Sequence, residues 1–303
     1  MPMISLYMRL KRFLARPEFT ENRLKALLLR IWWELCMRIT KRVPTTQINE
    51  ALVYLLPGCF PLYATGYSEQ DVAVLILTEL KSGMVFVDIG AHIGEYSIRA
   101  SQVVGEQGRV YAFEPNSDCY DVLIRNVNIN GFRNIVPERA ALSDSCGVAQ
   151  FEHRKYPDGS GLERKNKDPR IDGTNPILFT DSVRTTTLDH YVRSAGLTRV
   201  DLLKIDVEGA ELKVVRGANG VLGTFFPALI FEFDTKLMGT YDFDPKEILS
   251  LLRMHDYRVC VPLFAGRQLY LDDFRFLGER DIHTNLVAFR EIGAAFRTFR
   301  LER

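Results

Sequence analysis

From Val85 onward, short apolar runs alternate with amphipathic stretches. VFVDIG (85–90) reads as a buried strand, EYSIRASQVV (95–104) as a helix and RVYAFEP (109–115) as a second strand. SDCYDVLIRNVNING (117–131) predicts a helix closed by Gly131. IVPERAAL (135–142) predicts a third strand; DLLKID (201–206) and ALIFEF (228–233) predict two more, with the helix AELKVVRGA (210–218) between them. Strands that are apolar along nearly their whole length are buried on both faces. The pattern therefore predicts an α/β fold, an open, doubly wound parallel sheet with helices on both sides.

Two regions depart from this alternation. VAQFEH (148–153) and VRTTTL (183–188) read as strands able to pair, and the stretch 154–177 between them is polar and rich in Gly, Pro and charge. So long a connection is usually functional, and it reads as an excursion over the rim of a site. Beyond the fifth strand, 245–257 reads as a helix, and 258–263, 267–271 and 285–290 as antiparallel strands completing the sheet. At the other end, residues 1–42 carry ten Lys/Arg against three Asp/Glu, while the remainder carries 29 against 35. Residues 23–42 read as a helix with Arg30, Glu34 and Arg38 in a polar stripe. Residues 1–66 are thus expected to form a helical extension and 67–303 the sheet-bearing domain. The basic stripe faces water in one reading and meets an anionic membrane surface or a partner in the other.

Composition narrows the class. With 47% hydrophobic and 25% charged residues, the 303-residue chain is an ordinary globular one. A formal net charge of +1 argues against a nucleic-acid binder. The five cysteines lie far apart with no CxxC, which fits a reducing, cytoplasmic setting and neither a disulfide framework nor a zinc site. No run of 18 apolar residues suggests a membrane span, and no secretory signal is read at the start.

The chemistry concentrates at strand ends. VFVDIGAHIGEYS ends a strand on Asp88 and turns through Gly90 and Gly94 into a helix, at the crevice where open parallel sheets bind ligands. Asp88 suits a cationic ligand better than a pyrophosphate. Glu114, ending the second strand, sits where an acid binds both hydroxyls of a ribose. Together these favour an adenosyl ligand with an ammonium group, S-adenosylmethionine (SAM). In KIDVEGAE, Lys204, Asp206 and Glu208 alternate along an extended segment and project to one side. Glu208 is the expected base for an acceptor hydroxyl, with Asp206 beside it, and His92 is a second candidate. Acids here also suit the start of the following helix. The remaining histidines are scattered singly, and no metal site is expected.

VFVDIGAHIGEYS, VYAFEPN, AALSDS, TTTLDHYV and DLLKIDVEGAELKVVRGA, in this order over residues 67–235, resemble the FkbM family of SAM-dependent methyltransferases. His92 stands where that family usually has Asn. The resemblance implies a class I methyltransferase fold, a seven-stranded sheet with one antiparallel strand, and O-methylation of a hydroxyl on a sugar, glycan or secondary metabolite. It implies that Asp88, Gly90, Ala91, His92 and Gly94 line the methionine end of SAM. Glu114 would hold the ribose, with Pro115 and Asn116 beside it, and Ala141 and Leu142 would flank adenine. Two other readings compete. An NAD(P)-linked sugar-nucleotide enzyme lacks its GxGxxG here, and a non-catalytic binding protein would not need all of these acids.

Overall fold

The computed structural model describes residues 45–56, 59–265, 268–275 and 282–290. The basic helix read over 23–42 and the C-terminal tail lie outside the described residues. Within the expected helical extension, the chain forms a hairpin, β1 (Thr45–Ile48) and β2 (Ala51–Tyr54), before a short helix α1 (Phe60–Thr65). The edge of β2 is met by side chains. Asn130 accepts from Leu52 N–H at 2.8 Å and donates to Leu52 C=O at 2.8 Å. Asn126 does the same for Tyr54 at 2.7 and 3.1 Å. Two asparagines one helical turn apart thus act as a neighbouring strand, satisfying edge groups that burial would otherwise leave unpaired.

After α2 (Gln70–Glu79), the alternation from Val85 becomes β3 (Val85–Ile89), α3 (Glu95–Val104), β4 (Arg109–Phe113), α4 (Ser117–Ile129) and β5 (Ile135–Glu138). After an excursion come β10 (Leu202–Ile205), α7 (Glu211–Arg216), α8 (Asn219–Thr224), β11 (Ala228–Asp234), α9 (Thr235–Thr240), α10 (Pro245–Met254), β12 (Arg258–Ala265), β13 (Gln268–Asp273) and β14 (His283–Phe289). The main sheet runs β13-β12-β14-β11-β10-β3-β4-β5. β3, β4, β5, β10 and β11 are parallel, and β14 enters antiparallel between β11 and β12. Seven strands with one reversed are what the resemblance implies; β13 is an eighth, added at the edge by the β12–β13 hairpin.

Alternation along the strands feeds two cores. Phe86, Val110, Ala112, Leu202 and Ile230 face α2, α3, α4 and the hairpin. Val87, Phe113, Leu203, Ile205 and Phe231 face α7, α8, α10 and a further helix, α6 (Leu188–Ser194). On the first face, at the carboxyl end, the register sets Lys204 beside Asp88.

The pattern over 135–142 predicts one strand, but the chain changes sheets midway. Arg139 and Ala140 separate β5 from β6 (Ala141–Leu142), which pairs with β9 (Ile177–Thr186) in a second sheet ordered β6-β9-β7-β8. β7 (Gly147–Arg154) and β9 pair antiparallel, as the sequence suggests. The polar stretch between them is built rather than structureless: a 3-10 turn at Pro157–Gly159, β8 (Gly161–Leu162) and α5 (Pro169–Thr174). Arg154, buried, ties it down through Glu152 at 2.9 Å and Asp172 at 2.8 Å.

Candidate active site

At the carboxyl ends of β3 and β4 the backbone folds into a tight cradle. Gly90 has φ 78°, and a Cβ there would lie 1.8 Å from the Asp206 carbonyl oxygen, so glycine is obligatory. The N–H groups of Gly90 and Ala91 donate to Phe113 C=O at 3.0 and 2.9 Å. His92 takes the left-handed region at φ 52°, and its N–H donates to Glu114 Oε2 at 2.8 Å. Asn116 N–H donates to Glu114 Oε1 at 2.8 Å. Each carboxylate oxygen of Glu114 thus accepts one backbone bond and keeps a lone pair for a ligand, the arrangement a vicinal diol requires. Burial pushes the Glu114 carboxyl up to about 7, against the two backbone bonds that favour its charge.

A second group of charges stands beside the cradle. Lys204 Nζ donates to Asp206 Oδ2 at 3.0 Å and to Gly90 C=O at 3.2 Å, with Asp88 Oδ1 at 3.9 Å. Burial works against its ammonium, but the carboxylates of Asp206 and Asp88 outweigh it and hold the lysine above its ordinary pKa. Glu211 accepts from the N–H groups of Val207 and Gly209 at 3.0 and 3.2 Å, fixing the turn that carries Glu208 at φ 59°. Burial raises Glu211 to about 7. Tyr96 is 6% exposed, and its hydroxyl finds no partner among the described residues.

These groups surround a cavity of about 330 Å³. Of the sequence-predicted residues, Gly90, Ala91, His92, Glu114, Pro115, Ala141, Leu142, Asp206 and Glu208 line it. Asp88, Gly94 and Asn116 are not among its lining residues. Asp88 lies beneath the turn, fully buried, accepting from Ser97 Oγ at 2.6 Å, and Gly94 begins α3 with φ 89°. Asn116 caps α4, its side chain accepting from the N–H groups of Asp118 and Cys119. His92 is held by burial, and next by Lys204, down at about 4, so its ring is neutral at physiological pH and a weak base. The excursion reaches the cavity through Pro157, Ser160, Gly161 and Leu162.

Other lining residues escape sequence reasoning. Glu69, Glu95 and Tyr96 come from the start of α2 and of α3, where acids and aromatics carry no distinguishing pattern. Glu232 leaves a trace, a single acid inside the otherwise apolar run ALIFEF. Among the described residues, no group of three His, Cys, Asp or Glu side chains could hold a metal ion.

Strand order and a ligand cradle at the ends of β3 and β4 define a class I methyltransferase. The chain belongs to the FkbM methyltransferase family, whose cofactor is SAM: the family model, described as the methyltransferase FkbM domain, matches residues 88–259. A hexuronic acid methyltransferase, AglP, of Haloferax volcanii is 29% identical over 61% of this chain and 67% of its own length. Methyltransferase sdnD of Sordaria araneosa is 33% identical over 47% of this chain and 63% of its own. The 31-O-demethyl-FK506 methyltransferase FkbM of Streptomyces tacrolimicus is 26% identical over 63% and 80%. The chain thus spans roughly two thirds of the first two relatives. A crystal structure of an FkbM methyltransferase from Methylobacillus flagellatus aligns with a TM-score of 0.43 at 17% identity, covering 76% of this chain and 52% of that one.

The residues present fit SAM. Glu114 offers its two oxygens to a ribose, Phe113, Ala141, Leu142 and Leu162 offer apolar walls to a base, and Asp206 and Glu208 suit a cation.

Proposed function

We propose that the chain O-methylates a hydroxyl of a sugar, glycan or secondary metabolite. The observation that carries this reading is one cavity lined both by Glu114, whose two oxygens each accept one backbone bond, and by the carboxylates of Asp206, Glu208 and Glu232. The names of the relatives, a hexuronic acid and an FK506 methyltransferase, support a small-molecule or glycan acceptor.

SAM supplies an electrophilic methyl group. The chain's residues then have three tasks: holding the ribose on Glu114, aligning the acceptor oxygen, and taking its proton on a carboxylate. Asp206, tied to Lys204, is a positioning group in this scheme; Glu208 and Glu232 are the carboxylates able to act as base. An NAD(P) reading fits less well, because the cofactor's pyrophosphate would lie among Glu114, Asp206 and Glu208. A cytoplasmic setting belongs to the same proposal, supported by five cysteines that lie far apart in the sequence with no CxxC spacing. Among the described residues no helix is long and apolar enough to cross a membrane. The positive excess of residues 1–42 suits contact with an anionic membrane surface or a partner.

Calorimetric titration with SAM, S-adenosylhomocysteine and NADH tests the cofactor. Methyl hexosides, methyl hexuronosides and hydroxylated polyketides, followed by S-adenosylhomocysteine release and mass spectrometry, test the acceptor. Binding of NADH without SAM, or methyl transfer to nitrogen or carbon only, would sink the proposal.

A further inference from the structure

We propose that Glu232, rather than Glu208, takes the proton from the acceptor hydroxyl. The inference rests on the O-methyltransferase reading above and names the base within it.

The other acids lining the cavity have partners. Glu114 accepts from two backbone N–H groups, and Asp206 from Lys204. Glu95 is held by Ser68 N–H and by Arg99 at 3.1 Å, and Glu69 has the Asn285 amide beside it. Glu208 already takes part in an interaction within the protein. Glu232 also lines the cavity, from the middle of β11, and its Oε2 is buried with no hydrogen-bond partner among the described residues. A buried carboxylate oxygen left unpaired is costly, so such an atom in a cavity wall marks a place where a ligand donor belongs. A hydroxyl of the acceptor is such a donor.

The other oxygen of Glu232, Oε1, lies 3.7 Å from His283 Nδ1, a nitrogen that Asp234 Oδ2 holds at 2.8 Å. The balance is simple. The acceptor O–H bond breaks towards Glu232 while its oxygen forms the new bond to the methyl carbon. The bond from that carbon to sulfur breaks, its electron pair staying on sulfur. The proton ends on Glu232 and exchanges with water once the product has left.

The surroundings add a control. Burial first, then Asp206, Glu208, Glu211 and Asp234, hold the Glu232 carboxyl well above its ordinary range. Glu69 lines the same cavity, Lys204 stands on the adjacent strand β10, and His283 on β14. Such surroundings oppose ionisation of the acid, and the positive charge of SAM favours it.

Calorimetry at neutral pH in two buffers of different ionisation enthalpy reads this directly. The wild-type chain should release a proton, in whole or in part, on binding SAM, and less on binding the uncharged-sulfur product S-adenosylhomocysteine. Glu232→Gln, isosteric with the protonated acid, should bind both ligands and lose the difference. With an acceptor from the panel above, Glu232→Gln should slow single-turnover transfer by about 10²–10⁴ and abolish its pH dependence. That dependence should survive in Glu208→Gln. A wild type that shows no SAM-specific release, a release retained in Glu232→Gln, or a pH dependence lost in Glu208→Gln instead overturns the assignment. A wild type that binds neither ligand strikes the methyltransferase reading itself.

Discussion

Gly90 and Gly94 share a left-handed backbone and differ in what surrounds them. A Cβ on Gly90 meets the Asp206 backbone oxygen at 1.8 Å, which cannot give way; on Gly94 it meets Leu123 Cδ1 at 2.5 Å, the end of a flexible side chain. Gly90→Ala should abolish SAM binding or folding of the turn. Gly94→Ala should fold and lose about 1–2 kcal/mol from the left-handed backbone. Circular dichroism and SAM calorimetry on both variants check the ranking; equal damage would mean that conformation alone decides. Glu114→Ala should weaken SAM binding by about 1–3 kcal/mol, the scale of a charge-assisted bond, and an unchanged affinity would remove Glu114 from the ribose site. At this scale the placing of Glu114, Asp206 and Glu208 around one cavity was legible, because each stands at or just beyond the end of an apolar strand. Asp88 and Asn116 look alike in sequence to cavity residues, yet one is used beneath the turn and the other as a helix cap. A one-dimensional pattern does not record which side of a turn a side chain takes.

Helix α4 joins three parts of the molecule through Asn126, which is fully buried. Besides holding Tyr54 of the hairpin, its Nδ2 donates to Ile93 C=O at 2.9 Å, inside the SAM turn. Asn126→Ala leaves these backbone groups buried without partners and should cost about 3 kcal/mol. SAM affinity should fall with it, although Asn126 is not among the residues lining the cavity. Asn116→Ala should cost about 1 kcal/mol as a lost cap while leaving SAM affinity nearly unchanged, since the bond to Glu114 comes from its backbone. Denaturant titration with and without SAM separates the two variants; a shared pattern would put Asn116 back in the site. Helices and parallel strands were legible at this scale because their apolar periods are long. The hairpin was not: Asn126 and Asn130 supply the pairing partner from distant sequence. The break between β5 and β6 was hidden too, because both halves are apolar and only the pairing changes.

For the whole molecule, buried carboxylates set the response to pH. Burial raises Glu114 and Glu211 from 4.5 to about 7, and raises Asp88, Glu69 and Glu95 as well. Between those values the folded chain holds protons that the unfolded chain has lost, so stability falls as pH rises through this window. His92, lowered from 6.5 to about 4, acts in the opposite direction, but its contribution is complete above its unfolded value. The ligand-free chain should therefore melt at lower temperature at about pH 8 than at about pH 6, and scanning calorimetry across that range decides it. A flat or rising profile would show these acids already ionised. Fold class was legible from the alternation of apolar strands and helices, and so was the edge strand, since RQLYL alternates beyond the last helix; the count of seven came from the resemblance alone and is one short.

The point where the chain leaves one sheet for another also bears on how such enzymes diversify. Leu142 and Thr186 are paired neighbours, and Ser143 N–H donates to Thr186 C=O at 2.9 Å. Residues 143–185 therefore leave and re-enter the protein at one place, and this single loop brings Pro157, Ser160, Gly161 and Leu162 to the cavity wall. A segment with adjoining ends can change in length or sequence without moving either end of the main sheet, so this part of the cavity wall is hung on the fold rather than built into it.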